Sequence, residues 1–191
     1  MKRVAILQSN YIPWKGYFDL IASVDEFIIY DDMQYTRRDW RNRNIVKTPH
    51  GTRWLTVPVK TKGQFSQSIK DTLIDGEEWA ETHWKSMYHS YHLAPYFQEV
   101  SAILEETYTK RQFATISELN SSLITTVCDY LQIGTTISRS WDYTLIEGKT
   151  ERLVDLCRQA SATEYISGPS AKNYIDDSCF QEAGIQLTWF D

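Results

Sequence analysis

Within Lys2–Asp32 the chain changes hydrophobic pattern three times, and few architectures accommodate the sequence of changes. Arg3–Gln8 carries Val4, Ile6 and Leu7. A polar turn follows over Ser9–Pro13. In Trp14–Ser23, Trp14, Tyr17, Phe18, Ile21 and Ala22 fall at i, i+3, i+4, i+7 and i+8, which gives a helix one apolar face. Glu26–Asp31 then carries Phe27, Ile28 and Ile29. Near-continuous apolar runs of this kind belong to strands covered on both faces, so the segment predicts a β-α-β unit. Such a crossover is right-handed and joins parallel strands. The turn Gln8-Ser9-Asn10-Tyr11-Ile12-Pro13 and the stretch after Tyr30 then leave the carboxyl edge of the sheet, where open α/β sheets bind ligands.

Both loops carry groups that a plain turn does not require. The first offers Gln8, Asn10 and Tyr11. The second runs from Asp31 and Asp32 through Arg37, Arg38, Asp39, Trp40, Arg41, Asn42, Arg43 and Asn44. Charges that neutralise one another on a solvated loop are one reading. Arginines interleaved with aromatics and asparagines favour the other, planar recognition of a ring and of a phosphate or carboxylate.

The rest of the chain extends the same frame. Asn44–Lys47, a turn over Thr48–Gly51 and Arg53–Val59 predict a hairpin, with Pro58 near an edge. Ser68–Ile74 reads as a further short strand, so residues 43–74 form a small β insertion. Helices are expected over Glu77–His92, Tyr96–Tyr108, Ser117–Leu131 and Thr150–Ala160. Thr115 or Ser117 is suited to cap the third of these. Strands are expected over Thr136–Trp141, Glu164–Ile166 and Ile185–Phe190. The last inter-element turn, Ser167-Gly168-Pro169-Ser170, resembles an anion-binding strand–helix turn. Its glycine admits close backbone approach, a helix opens at Pro169, and Lys172 sits in the first turn. Ser167–Lys172 is expected to close over the same ligand as the Asn10 turn.

The predicted fold is a single α/β domain over residues 1–191: a three-layer, Rossmann-like parallel sheet with helices on both faces and a β-hairpin insertion. A chain of 191 residues suffices for one good-sized core. Its net charge of −5 argues against general nucleic-acid binding. No apolar run reaches the ~20 residues of a membrane helix, and Met1-Lys2-Arg3 leads directly into a strand rather than a secretory segment, so a cytoplasmic location is expected. Cys128, Cys157 and Cys179 fit neither a disulfide framework nor a zinc knuckle. His89 and His92 share a helix face, but no carboxylate or cysteine completes a ligand set at helical spacing, and no metal is expected. His83, beside Trp79, is a candidate for a polar contact at the site.

Four segments together resemble the WbqC-like family: Gln8–Asp19, Tyr30–Arg43, Trp54–Val59 and Tyr165–Lys172. Members of that family occur in gene clusters for bacterial O-antigen and other surface glycans, and they continue past the point where this chain stops, with an aromatic stretch and a terminal helix. The resemblance implies a truncated carboxyl end and a part in making or decorating an activated sugar. A weaker likeness connects Pro13-Trp14-Lys15-Gly16-Tyr17 and Ile166-Ser167-Gly168-Pro169-Ser170 with the phosphate loops of the nucleotidylyltransferase and class I synthetase superfamily. Gly16 matches that signature, while Trp14 and Tyr17 replace both of its histidines. Those histidines stabilise the transferring phosphoryl group. Nucleotide binding therefore remains open where routine adenylyl transfer does not.

The resulting expectation is a transferase acting on a nucleotide-activated amino sugar or its acyl donor, with a nucleotide or nucleotide sugar as bound ligand. Asp31, Asp32 and Lys172 are the candidate catalytic residues. Gln8, Asn10, Tyr11, Trp14, Gly16, Arg37, Arg38, Trp40, Arg41, Arg43, His83, Ser167, Gly168 and Ser170 are the candidate ligand contacts. A non-catalytic nucleotide-sugar-binding protein that serves another enzyme is the alternative, because spacing alone identifies no nucleophile–base pair.

Overall fold

The computed structural model describes residues 1–190. In chain order the elements are β1 (Arg3–Leu7), α1 (Lys15–Ala22), β2 (Glu26–Ile29), β3 (Arg43–Thr48), β4 (Gly51–Thr56), α2 (Glu78–Tyr91), α3 (Phe97–Thr109), α4 (Ile116–Tyr130), β5 (Thr136–Arg139), α5 (Thr150–Gln159), β6 (Glu164–Ser167), α6 (Asp177–Glu182) and β7 (Gln186–Trp189). The chain divides into two compact units. The first comprises Met1–Gln8, Trp14–Asp32 and Cys128–Asp191, and the second Ser9–Pro13 and Met33–Val127.

In the first unit five strands form a sheet in the order β5-β2-β1-β6-β7, with every neighbouring pair parallel. Burial follows position. β2 and β6 are buried throughout, whereas the edge strands β5 and β7 are half-exposed. This is why the apolar runs at Val4–Leu7 and Phe27–Ile29 are continuous rather than alternating. From β1 to β2 to β5 the chain moves toward one edge, then it returns past β1 to β6 and β7. Right-handed crossovers therefore place α1 on one face and α5 and α6 on the other. The apolar face of α5 buries Leu153, Val154, Leu156 and Cys157. Burial pushes the Cys157 thiol up to about 12 and leaves it unreactive.

At the amino end of β2, Glu26 is 5% exposed. Burial alone would raise its carboxyl, but an ion pair with Lys2 at 2.8 Å and hydrogen bonds donated by the Ser138 and Tyr143 hydroxyls hold it below the usual range.

The second unit is built round the antiparallel hairpin β3–β4, in register from Arg43↔Thr56 to Thr48↔Gly51. Its core gathers Tyr35, Leu55, Val57, Ile69, Met87, Tyr108, Ile116, Leu119 and Leu123, together with Tyr11. The expected strand over Ser68–Ile74 does not form. That segment makes only isolated bridges, Gln34↔Ser68, Val59↔Ile74 and Leu73↔Thr115. Its hydrogen-bonding groups are divided among three partners, so no continuous ladder can run along it. Thr115 does cap α4: its hydroxyl accepts from the Glu118 amide at 3.2 Å, while the Glu118 carboxylate accepts from the amides of Ala114 and Thr115.

Candidate functional site

The reversal of direction at β1 creates a topological switch point in the first unit, and the ladders open there. β1 pairs with β6 only at Arg3↔Glu164 and Val4↔Tyr165, while β1–β2 continues to Leu7↔Ile29 and β6–β7 to Ser167↔Trp189. The β1–β6 pairing therefore stops short of the carboxyl ends of both strands, at the switch point where open α/β sheets take ligands.

The loops at that edge bring several predicted residues together. β1 delivers Gln8, whose carbonyl accepts from the Tyr17 hydroxyl at 3.1 Å. Trp14 occupies the N-cap of α1 and is 68% exposed. Its indole lies across Gly16, so close that a Cβ there would come within 2.1 Å of the ring. The glycine makes room for the tryptophan, and the tryptophan offers its other face to solvent. After β2, Asp31 is fully buried, while Asp32 is half-buried and accepts from the Ser140 hydroxyl at 2.5 Å. Just before them, burial pushes the Tyr30 phenol up against the pull of a hydrogen bond from Arg152. After β6 come buried Ser167, half-buried Gly168 and exposed Ser170.

Residues Pro169–Asn173 form a 3-10 turn, not the expected α-helix. Gly168 has an ordinary backbone, φ −67° and ψ 152°, and a Cβ there would meet nothing within 4 Å. Neither conformation nor packing requires the glycine, and the space before it is open. The Lys172 ammonium sits 5.5 Å from the centre of the Trp189 ring, a cation–π contact that keeps the charge at this edge. Ser140, Arg152, Tyr30 and Trp189 are additions that spacing did not reveal. Arg152 reads in sequence as one more solvated helix cation, and only the topology brings it to Tyr30 at the end of β2.

The arginine loop belongs to the second unit, where most of its arginines are occupied. Arg41 donates to the Ser9 carbonyl at 3.1 Å and to the Asn10 side chain, and lies 3.8 Å from Asp39. Arg43 donates to the Arg38 carbonyl at 2.6 Å and stacks 4.0 Å over Trp54. Arg37 reaches the Thr61 carbonyl and hydroxyl. The Arg38 side chain is exposed on a left-handed backbone of φ 60°. Trp40 is 47% exposed and tilted against Trp54 at 5.6 Å.

Tyr11 and His83 also lie in this unit, and both are interior. The Tyr11 hydroxyl is 2.8 Å from His83 Nδ1 and 2.7 Å from the Tyr108 hydroxyl. A bond to the Thr56 carbonyl puts a proton on the other imidazole nitrogen, and burial together with Arg53 lowers the imidazole to about 4. A neutral chain results, Tyr108 donating to Tyr11, Tyr11 to His83 and His83 to Thr56. Tyr11, fully buried, presents no face for stacking on a ligand. Asn10 belongs to this unit and Gly168 to the other, and within the first unit β1 contributes Gln8 to the edge that holds Gly168.

With this geometry established, comparison with known proteins places the chain. The model of the WbqC-like protein family matches residues 8–191. The chain belongs to the WbqC-like family. This family member is 58% identical, over its whole length and 83% of the relative's, to the protein named "Uncharacterized protein Rv1507c" from Mycobacterium tuberculosis (strain ATCC 25618 / H37Rv). No solved structure matches. No helix among the described residues of the WbqC-like chain is long and apolar enough to cross a membrane. No group of three or more His, Cys, Asp or Glu side chains gathers there to hold a metal.

Proposed function

We propose that this WbqC-like protein is a transferase of surface-polysaccharide biosynthesis, acting on a nucleotide-activated amino sugar or its acyl donor, with the activated ligand held at the carboxyl edge of the parallel sheet. The observation that carries the reading is the early end of the β1–β6 ladder at Val4↔Tyr165, between longer ladders on either side. It supplies a crevice at a switch point, the place where this class of sheet takes nucleotides. In this reading Trp14 stacks on a base or sugar ring. Lys172 and the open backbone at Gly168–Ser170 meet a phosphate. Asp32, oriented by Ser140, takes a sugar hydroxyl or accepts its proton.

The burial of Asp31 favours the second reading, a non-catalytic binding protein. It withdraws Asp31 from the solvent side of the edge, so that of this pair only half-buried Asp32 meets a ligand there. Turnover separates the two. Protein purified under native conditions and analysed by mass spectrometry should retain a nucleotide or nucleotide sugar. Incubation of that ligand with the protein and an acceptor should consume it if the protein is an enzyme, and Asp32→Asn should abolish consumption while leaving binding. Retention without consumption by any acceptor favours the binding protein.

A further inference from the structure

The second unit holds a groove of ≈ 690 Å³, within the ~300–1,000 Å³ of typical small-ligand sites. The start of α2 contributes Glu77, Trp79 and Glu81 to its walls. The end of α3 and the segment after it contribute Tyr108, Gln112 and Phe113. The floor is fixed. Tyr108 is 3% exposed, its hydroxyl tied to Tyr11 and through it to His83. Trp79 stands edge-on to Tyr11, His83 and Tyr108, with ring centres 6.4, 5.4 and 6.1 Å apart. Neither ring can swing in to fill the groove without breaking those contacts.

The rim decides what fits. The Glu77 and Glu81 carboxylates accept hydrogen bonds, Lys110 and Arg111 donate them, and the Gln112 amide does both. Their formal charges cancel. Glu81 is further paired with Lys85 at 2.6 Å and Arg111 with Glu106 at 3.7 Å. A phosphate would meet the carboxylates and an ammonium the two basic side chains, whereas an uncharged molecule meets neither penalty. Gln112 Nε2 donates to Glu77 Oε2 at 3.2 Å, joining the two walls by a contact that a ligand hydroxyl can replace without loss. Donors and acceptors beside the half-buried rings of Trp79 and Phe113, with no net charge, suit a ring that has apolar C–H faces and a hydroxyl edge.

We propose that this groove binds an uncharged pyranose or a short neutral oligosaccharide. The inference does not depend on the carboxyl edge taking a nucleotide. The test is an amide-resolved NMR titration of the full chain with glucose, N-acetylglucosamine and maltotriose, and with UDP as the anionic control. At least one sugar should give saturable shifts at residues 74–81 and 107–113. Glu77→Gln and Gln112→Ala, both exposed positions, should each weaken that sugar by about five- to tenfold. Trp14→Ala should leave it unchanged. The proposal is overturned if none of the three sugars gives saturable shifts in the groove, if both substitutions leave affinity unaltered, or if UDP alone occupies it.

Discussion

Gly16 shows how one missing side chain can serve a neighbour. Its helical position gives no conformational reason for glycine, and substitution by alanine in a helix ordinarily adds up to about 1 kcal/mol of stability. A Cβ would displace the Trp14 indole. Gly16→Ala should therefore leave thermal stability equal or higher while affinity for the activated ligand falls, a pair of opposite signs that calorimetry and thermal melts read separately. Arg41 points the other way. The sequence places it as a phosphate ligand, but its bonds to Ser9 and Asn10 hold the segment 9–13 onto the second unit's own loop. Arg41→Lys keeps the charge and loses the planar fork, so the midpoint of denaturant unfolding should drop by the equivalent of about 1–2 kcal/mol. His83 gives a pH signature. Its imidazole is depressed to about 4 in the fold, against ~6.5 in an unfolded chain. The unfolded state then binds the proton first, so the stability is fully present above pH ~6.5 and is lost as pH falls toward 4, by roughly 3 kcal/mol in total. His83→Gln should flatten that slope in denaturant titrations between pH 7 and 4, and an unchanged slope would show that His83 does not carry it.

At the scale of elements, strands and caps were legible because their causes are local. The continuous apolar runs of β1 and β2 and the hairpin turn at Thr48–Gly51 each imply their own geometry. The Thr115 and Glu118 pair is a capping box readable from four residues. Thr115→Ala should cost about 1 kcal/mol, measured by chemical denaturation, with no effect on ligand binding at the sheet edge. The segment 68–74 misled because its alternation looks like a strand, while its bridge partners are Gln34, Val59 and Thr115 and its backbone hydrogen bonds run to Met33, Lys60, Ala114 and Ile116, positions that no local pattern names. Pro169 misled for a related reason. It suits the first position of an α-helix or a 3-10 turn equally, and the chain takes the 3-10 turn and reserves its α-helix for Asp177–Glu182, where Asp176 caps the start through the Ser178 amide.

For the whole molecule, the parallel sheet and the residues at its carboxyl edge followed from the sequence, since a right-handed β-α-β unit orients both of its loops the same way. The allocation of side chains between the two compact units did not. Tyr11 stands between a strand and a helix of one unit yet is buried in the core of the other, beside His83 and Tyr108. Contacts separated by 72 and 97 residues leave no periodic trace in the chain. In the proposed function the carboxyl edge beyond the short β1–β6 ladder holds an activated sugar or acyl donor. Isothermal titration of the full chain with UDP-N-acetylglucosamine, dTDP-glucose, GDP-mannose and acetyl-CoA tests it most directly, with Trp14→Ala and Lys172→Ala titrated alongside. One of these ligands should bind with a micromolar dissociation constant, and each substitution should weaken it about tenfold, the equivalent of ~1.4 kcal/mol. Failure of all four to bind, or binding that neither substitution alters, would rule out an activated-ligand site at this edge.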